Sequence, residues 1–148
     1  MARGTTLPSS KMLILLGDGA DPESFTSPCG LTTKGFNNSA ETNDVNVPDC
    51  DNPDAPFWVE RVIVSLSSTV SGSGIMMMEA LPAWREWFES GESRNLRVKL
   101  DESAANNGGY FFGKFVLSTF NITGEERGKV QIEIELQNDG VVAWQDAV

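Results

Sequence analysis

Residues 130–137 read Val, Gln, Ile, Glu, Ile, Glu, Leu, Gln, an unbroken alternation of apolar and polar positions. Successive strand side chains point to opposite faces, so this segment predicts a strand with Val130, Ile132, Ile134 and Leu136 on a core and Glu133 and Glu135 on an acidic, water-facing side. The same period runs from Trp58 to Val70, where Val62, Val64, Leu66 and Val70 fall on one face and Ile63, Ser65, Ser67 and Thr69 on the other. Leu96, Val98 and Leu100 alternate with Arg97 and Lys99, and an aromatic-rich strand is expected from Tyr110 to Thr123. Met12 to Leu16 predicts a buried strand that doubles back through Gly17, Asp18 and Gly19 toward Phe25, and Leu31 to Asn37 predicts another strand.

The period changes once. Leu81, Trp84 and Phe88 recur at helical spacing between Pro82, which suits a first turn, and Gly91, which suits the position past the last, so an amphipathic helix is expected over residues 80–90, packed through those three side chains. Residues 39–57 carry Glu41, Asp44, Asp49, Asp51 and Asp54 without a base, and Pro48, Pro53 and Pro56 interrupt any ladder, which predicts a long acidic loop. Loops of that length inside a domain are usually functional, in contact with a partner or mobile, and a loose solvated insertion is the other reading. Ser71, Gly72, Ser73 and Gly74 predict a flexible connection into the helix, and Gly124 to Gly128 and Asn138 to Gly140 predict turns that join neighbouring strands and carry the chain on to a final strand, Val141 to Trp144. Strands with hairpin-like turns and a single helix describe a mainly β fold, an antiparallel β-sandwich or partial barrel with one flanking short α-helix, in a single domain spanning residues 1–148.

Charge and composition then remove whole classes of function. Twenty-one acids against eleven bases leave a net charge of -10, which argues against a surface that grips nucleic-acid phosphates. With no histidine, the Ser-His-Asp and Cys-His nucleophilic systems and the commonest zinc ligand are all absent. Two cysteines, Cys29 and Cys50, are too few for a disulfide scaffold, and a single bridge between them stays open. The short apolar run at Met12 to Leu16 does not make a signal peptide, and no apolar run reaches the ~20 residues of a membrane span, so no membrane anchor is expected.

Candidate chemistries fail on inspection. The segment from Asp49 to Glu60 has acids at the ends of a twelve-residue calcium loop, but Pro53 lacks a side-chain oxygen and Asp54 stands where that loop needs glycine. Ser71 to Gly74 lacks the Gly-Lys-Ser/Thr that would make it a phosphate-binding loop, and Asn121-Ile122-Thr123 is a glycosylation sequence without a secretory context. Among so many acids some pair will lie at any chosen separation, so carboxylate abundance is no sign of glycoside chemistry. Neither enzymatic activity, metal nor cofactor is expected.

The succession of elements resembles the tail tube proteins of long-tailed bacteriophages: a hairpin around Gly17-Asp18-Gly19, a long loop, a strand ending in Ser71-Gly72-Ser73-Gly74, one helix, and a glycine-led strand pair, "GYFFGKFVLSTFNITGEERGKVQIEIEL". The resemblance implies a structural virion protein with a tail-tube-like β-sandwich, assembled into six-membered rings that stack into a tube through which the genome passes. It implies as partners the chain itself, other tail proteins (tape measure, terminator and distal tail) and double-stranded DNA in transit only, with assembly in the host cytoplasm and residence in the virion tail. Two strand pairs, Leu31 to Asn37 with Trp58 to Val70 and Tyr110 to Thr123 with Val130 to Gln137, would line the channel. Glu133 and Glu135, with Ser65, Ser67 and Thr69, are then candidate channel-lining residues, and the acids Glu41, Asp44, Asp49, Asp51 and Asp54 a candidate contact between subunits or rings, with Arg97 and Lys99 as their basic complement. The alternative reading of the same fold is a monomeric acidic sandwich that binds carbohydrate or peptide through Trp58, Trp84, Trp87 or Trp144.

Overall fold

The alternation of residues 131–137 becomes a strand well inside the sheet of the computed structural model, which describes residues 4–18, 24–28 and 30–147, while Val130, expected in the core, precedes that strand and is exposed. The strands are β1 (Met12–Gly17), β2 (Phe25–Thr26), β3 (Leu31–Val47), β4 (Trp58–Ile75), β5 (Arg94–Leu100), β6 (Gly109–Thr123), β7 (Gln131–Asn138) and β8 (Ala143–Asp146), and the helix α1 (Leu81–Ser90) lies between β4 and β5. They form one antiparallel sheet in the order β2-β1-β5-β6-β7-β4-β3, with β8 paired to β6. β1 returns to β2 as expected from its glycine turn, although Gly19 itself and Cys29, and with it the question of a Cys29–Cys50 bridge, lie outside the described residues.

The sheet is not closed, but it curls around a single core. Ile14, Leu16, Leu96 and Val98 from β1 and β5 share that core with Val70 of β4, Phe115 and Leu117 of β6, and Ile132, Ile134 and Leu136 of β7. Each such side chain, fully withdrawn from water, contributes about 1.5–3 kcal/mol of transfer free energy. The two ends of the sheet approach each other: Lys34 Nζ on β3 donates to the Met12 carbonyl on β1 at 2.9 Å. The result is a partial sandwich.

α1 begins with Pro82 in its first turn and ends where Gly91, at φ 67°, donates its N–H to the Trp87 carbonyl. Its buried side chains are Trp84 and Trp87, both at 0% exposure, with indole rings stacked 6.0 Å apart. The packing expected through Leu81, Trp84 and Phe88 is corrected here: Trp87 takes the inner place, its Nε1 donating to the Glu92 carbonyl, and Leu81 is half-buried. Phe88, 49% exposed, meets Phe120 only edge-on.

Three further expectations are corrected. The acidic stretch 39–57 is not a loop throughout, because β3 continues to Val47 in unbroken pairing with β4, and only residues 48–57 connect the two strands. Ser71 to Gly74 is not a flexible connection but the inner end of β4, paired on both sides. Its glycines permit close approach: a Cβ on Gly72 would sit 3.3 Å from the Leu31 methyls, and one on Gly74 would run into the Gly30 carbonyl oxygen. Finally, Val64 has no partner between the pairs Glu41↔Ser65 and Thr42↔Ile63, and this extra residue reverses the alternation, so Val62 does not share a face with Leu66 and Val70, nor Ile63 one with Ser65, Ser67 and Thr69.

Candidate functional site

The side of the sheet that turns away from the core is polar wherever β3, β4, β7 and β6 lie side by side. One row across it reads Thr33, Ser73, Glu133, Asn121, and the next reads Gly35, Ser71, Glu135, Thr119. A third reads Asn37, Thr69, Gln137, Val116, with valine at the margin. Beyond it, where only β3 and β4 continue, come Ser39 beside Ser67 and Glu41 beside Ser65. Apart from Val116, these rows hold hydroxyls, amides, glycine and acids and not one lysine or arginine.

Local sequence explains the surface. On β7 the strict alternation sends Ile132, Ile134 and Leu136 inward and leaves Glu133 exposed and Glu135 half-exposed. On β6 the alternation alone would not keep the face polar, since Leu117 and Phe115 are buried at odd positions while Thr119 and Asn121 are odd as well. Ser118 resolves this as an unpaired residue between Leu117↔Leu136 and Thr119↔Glu135, its hydroxyl donating to the Glu135 carbonyl at 3.1 Å. That bulge sends Phe120 and Ile122 to the core side and Thr119 and Asn121 to the side of Glu133 and Glu135.

All five candidate channel residues fall on this face: Glu133 and Glu135 at its centre, Thr69 beside Gln137, and Ser67 and Ser65 farther out along β4. Thr33, Ser71, Ser73, Thr119 and Asn121 join them unforeseen. Ser71 and Ser73 carried a signal in their alternation with glycine, whereas Thr119 and Asn121 depended on a bulge that no single-strand pattern announces.

β3 and β4 run on past the last β7 partner, Thr69, as a two-stranded arm, and every residue in 37–67 except Ala55 is exposed. The arm carries all five candidate acids. Glu41 accepts a bond from Ser65 Oγ at 3.2 Å, and Asp44 pairs with Arg61 across the strands at 3.2 Å, an exposed bridge worth about 0–1 kcal/mol. Asp49 accepts the backbone N–H groups of Asp51 and Asn52 in the tip, and Asp51 and Asp54 point to solvent. The arm is also apolar: Trp58 is 84% exposed and Leu66 74%, with Val45, Val59, Val62, Ile63 and Val64 also uncovered. Two strands alone are marginal in water, and open apolar surface on this scale is unusual for a single subunit.

The basic candidates lie elsewhere. Lys99 Nζ is 3.7 Å from Asp101, and Arg97 is stacked among the rings of Phe25, Tyr110 and Phe112. Nearby, the Ser103 backbone N–H, helped by Asn106 and Lys11, holds the Glu102 carboxyl below the usual carboxylate range. Trp84 and Trp87 are too deeply buried to stack on a sugar, Trp144 packs on Phe111, and only Trp58 stands free. Among the described residues no three of His, Cys, Asp or Glu gather as metal ligands, and no helix is long and apolar enough to cross a membrane.

A family model described as phage tail tube protein matches residues 6–143. No curated protein sequence gives a significant match. Among solved structures, the chain is similar to one from the tail of an empty GTA particle refined helically with C6 symmetry, with a TM-score of 0.79 at 22% identity over 95% of this chain and 99% of that one. It is similar to a chain of the native gene transfer agent virion with a TM-score of 0.76 at 21% identity, over 95% of this chain and 99% of that one. The tail tube of SPP1 follows with a TM-score of 0.64 at 12% identity, over 96% of this chain and 81% of that one.

Proposed function

The chain belongs to the phage tail tube protein family, and from that premise we propose that it closes into six-membered rings that stack into a tube with the base-free face of β3, β4, β7 and β6 turned to the lumen. As a tail tube protein it is a structural component of the virion tail and not an enzyme. The observation that carries the finer reading is the four-strand face centred on Glu133 and Glu135, polar but for Val116 at its margin and free of lysine and arginine.

The edges of that face support ring closure. β3 ends the sheet on one side, and on the other β5 leaves β6 at Phe115, so the stretch 116–123 has an edge without a strand partner. Open edges are aggregation hazards unless paired, and joining the β3 edge of one subunit to the free part of β6 in the next is a head-to-tail contact that closes after a fixed number of copies. Six copies suit the C6 symmetry of the similar tail. Four strands from each of six subunits at ~4.8 Å spacing give a wall about 115 Å around, hence a backbone diameter of about 37 Å and a bore of about 27 Å once side chains are allowed for. Strand tilt widens this further. A DNA duplex passes.

The charge of the wall sets how it passes. DNA carries one negative charge per ~1.7 Å of axis, and a basic lining would bind it. Like charges ~4 Å apart in water repel by about 1 kcal/mol, and physiological salt screens them over ~8 Å. The lining prevents adhesion and does not drive movement. In this reading the arm with Glu41, Asp44, Asp49, Asp51 and Asp54 contacts neighbouring subunits, which cover its apolar side chains. Assembly takes place in the host cytoplasm, with tape measure, terminator and distal tail proteins as further partners.

The test is the double change Glu133→Lys and Glu135→Lys in particles. Tubes of normal length that fail to deliver DNA support the lumen assignment, and full infectivity of particles carrying both lysines overturns it.

A further inference from the structure

Arg97 on β5 occupies an unusual position for a residue that is always charged. Its guanidinium carbon lies 3.9 Å from the ring centroid of Phe25, 4.5 Å from that of Tyr110 and 5.7 Å from that of Phe112, while its Nε is buried without a hydrogen-bond acceptor. Ring faces stabilise a cation but accept none of its in-plane N–H bonds, and an unmet donor in a desolvated place is costly. The neighbouring bases are satisfied: Lys99 pairs with Asp101, and Lys11 with Glu102 at 3.6 Å. Among the described residues no carboxylate answers Arg97, which lines an open depression with Leu15, Lys99 and Tyr110.

The matching excess is at the tip of the arm. There Asp44 is engaged by Arg61 and Asp49 by two backbone N–H groups, but the carboxylates of Asp51 and Asp54 have no partner among the described residues, and the connection holds no base. We propose that the arm tip of one subunit docks on the β1–β5–β6 face of a second copy, with the carboxylate of Asp51 or Asp54 accepting the N–H bonds of Arg97 inside its aromatic frame. A planar guanidinium held by stacked rings is already oriented for a carboxylate, and the pairing sets the register between neighbours more than it adds affinity. The proposal rests on the reading of the chain as a self-assembling tube and names the place where the arm lands.

Two experiments test it. In a Cys29→Ser background, Lys99→Cys joined to the native Cys50 by a short bismaleimide gives subunit dimers in assembled tubes and none in dilute protein; tubes without that cross-link overturn the docking while leaving the tube reading intact. Protein that forms neither rings nor tubes at any concentration overturns both. In the second, Arg97→Glu alone, or Asp51→Lys with Asp54→Lys, slows tube elongation at least about tenfold, and the three changes together restore it to within about threefold. Arg97→Met, which keeps the stem between the rings, guards against a folding defect and removes most of the salt dependence of elongation. Unchanged elongation in Arg97→Met at low salt, or no recovery in the combined variant, overturns the proposal.

Discussion

The two halves of the β3–β4 hairpin are one continuous ladder with opposite fates. At the root, Val70 and Phe36 face the core, Gly72 lies under Leu31, and β7 covers the other edge of β4. Past Thr69 the same strands lose that neighbour, and side chains of equal hydrophobicity, from Trp58 to Leu66, stand in water on both faces. One subunit therefore holds enough apolar surface to complete its root but not its arm. The root is finished by folding, and in the proposed tube the arm is finished by assembly.

That contrast is broken most severely from the root. Trp84→Ala removes a fully buried indole stacked on Trp87 and should cost about 3–5 kcal/mol in urea denaturation of the unassembled protein. Gly74→Ala forces a methyl against the Gly30 carbonyl and should cost about 1–3 kcal/mol through displacement of the β3–β4 pairing. On the arm, Ile63→Ser with Leu66→Ser should change monomer stability by no more than about 0.5 kcal/mol per site, since both side chains are already exposed, yet reduce tube yield in sedimentation assays. A large loss of monomer stability from the arm pair would mean that the arm packs within its own subunit.

The root was readable in the sequence because its signals are local. The strict period of residues 131–137, the Pro82 and Gly91 boundaries of α1, and the polar side of Thr69 each follow from a few adjacent residues, and each became the element or face expected. The β3 side of the arm was not readable, because what makes residues 39–47 a strand is their partner eleven to twenty-eight positions away. Asn43 and Asn46 have poor strand propensity on their own, and the pairing with Val62 and Val59 supplies what they lack. The bulges at Val64 and Ser118 were hidden for the same reason: an extra residue is visible only against the strand opposite. Phe88 and Trp87 exchanged places because an i, i+4 and an i, i+3 neighbour of Trp84 fit helical spacing equally well.

The resemblance to tail tube proteins was thus carried by element order, while the surface proposed to line the lumen depended on register across four strands. A reconstruction of the assembled tube by electron cryomicroscopy, at a resolution that traces side chains, measures that surface directly. The account predicts Glu133 and Glu135 on the inner wall in every subunit, with Ser71, Ser73, Thr119 and Asn121 around them and no lysine or arginine in their rows. A tube with these two glutamates on its outer wall, or buried between subunits, would contradict it.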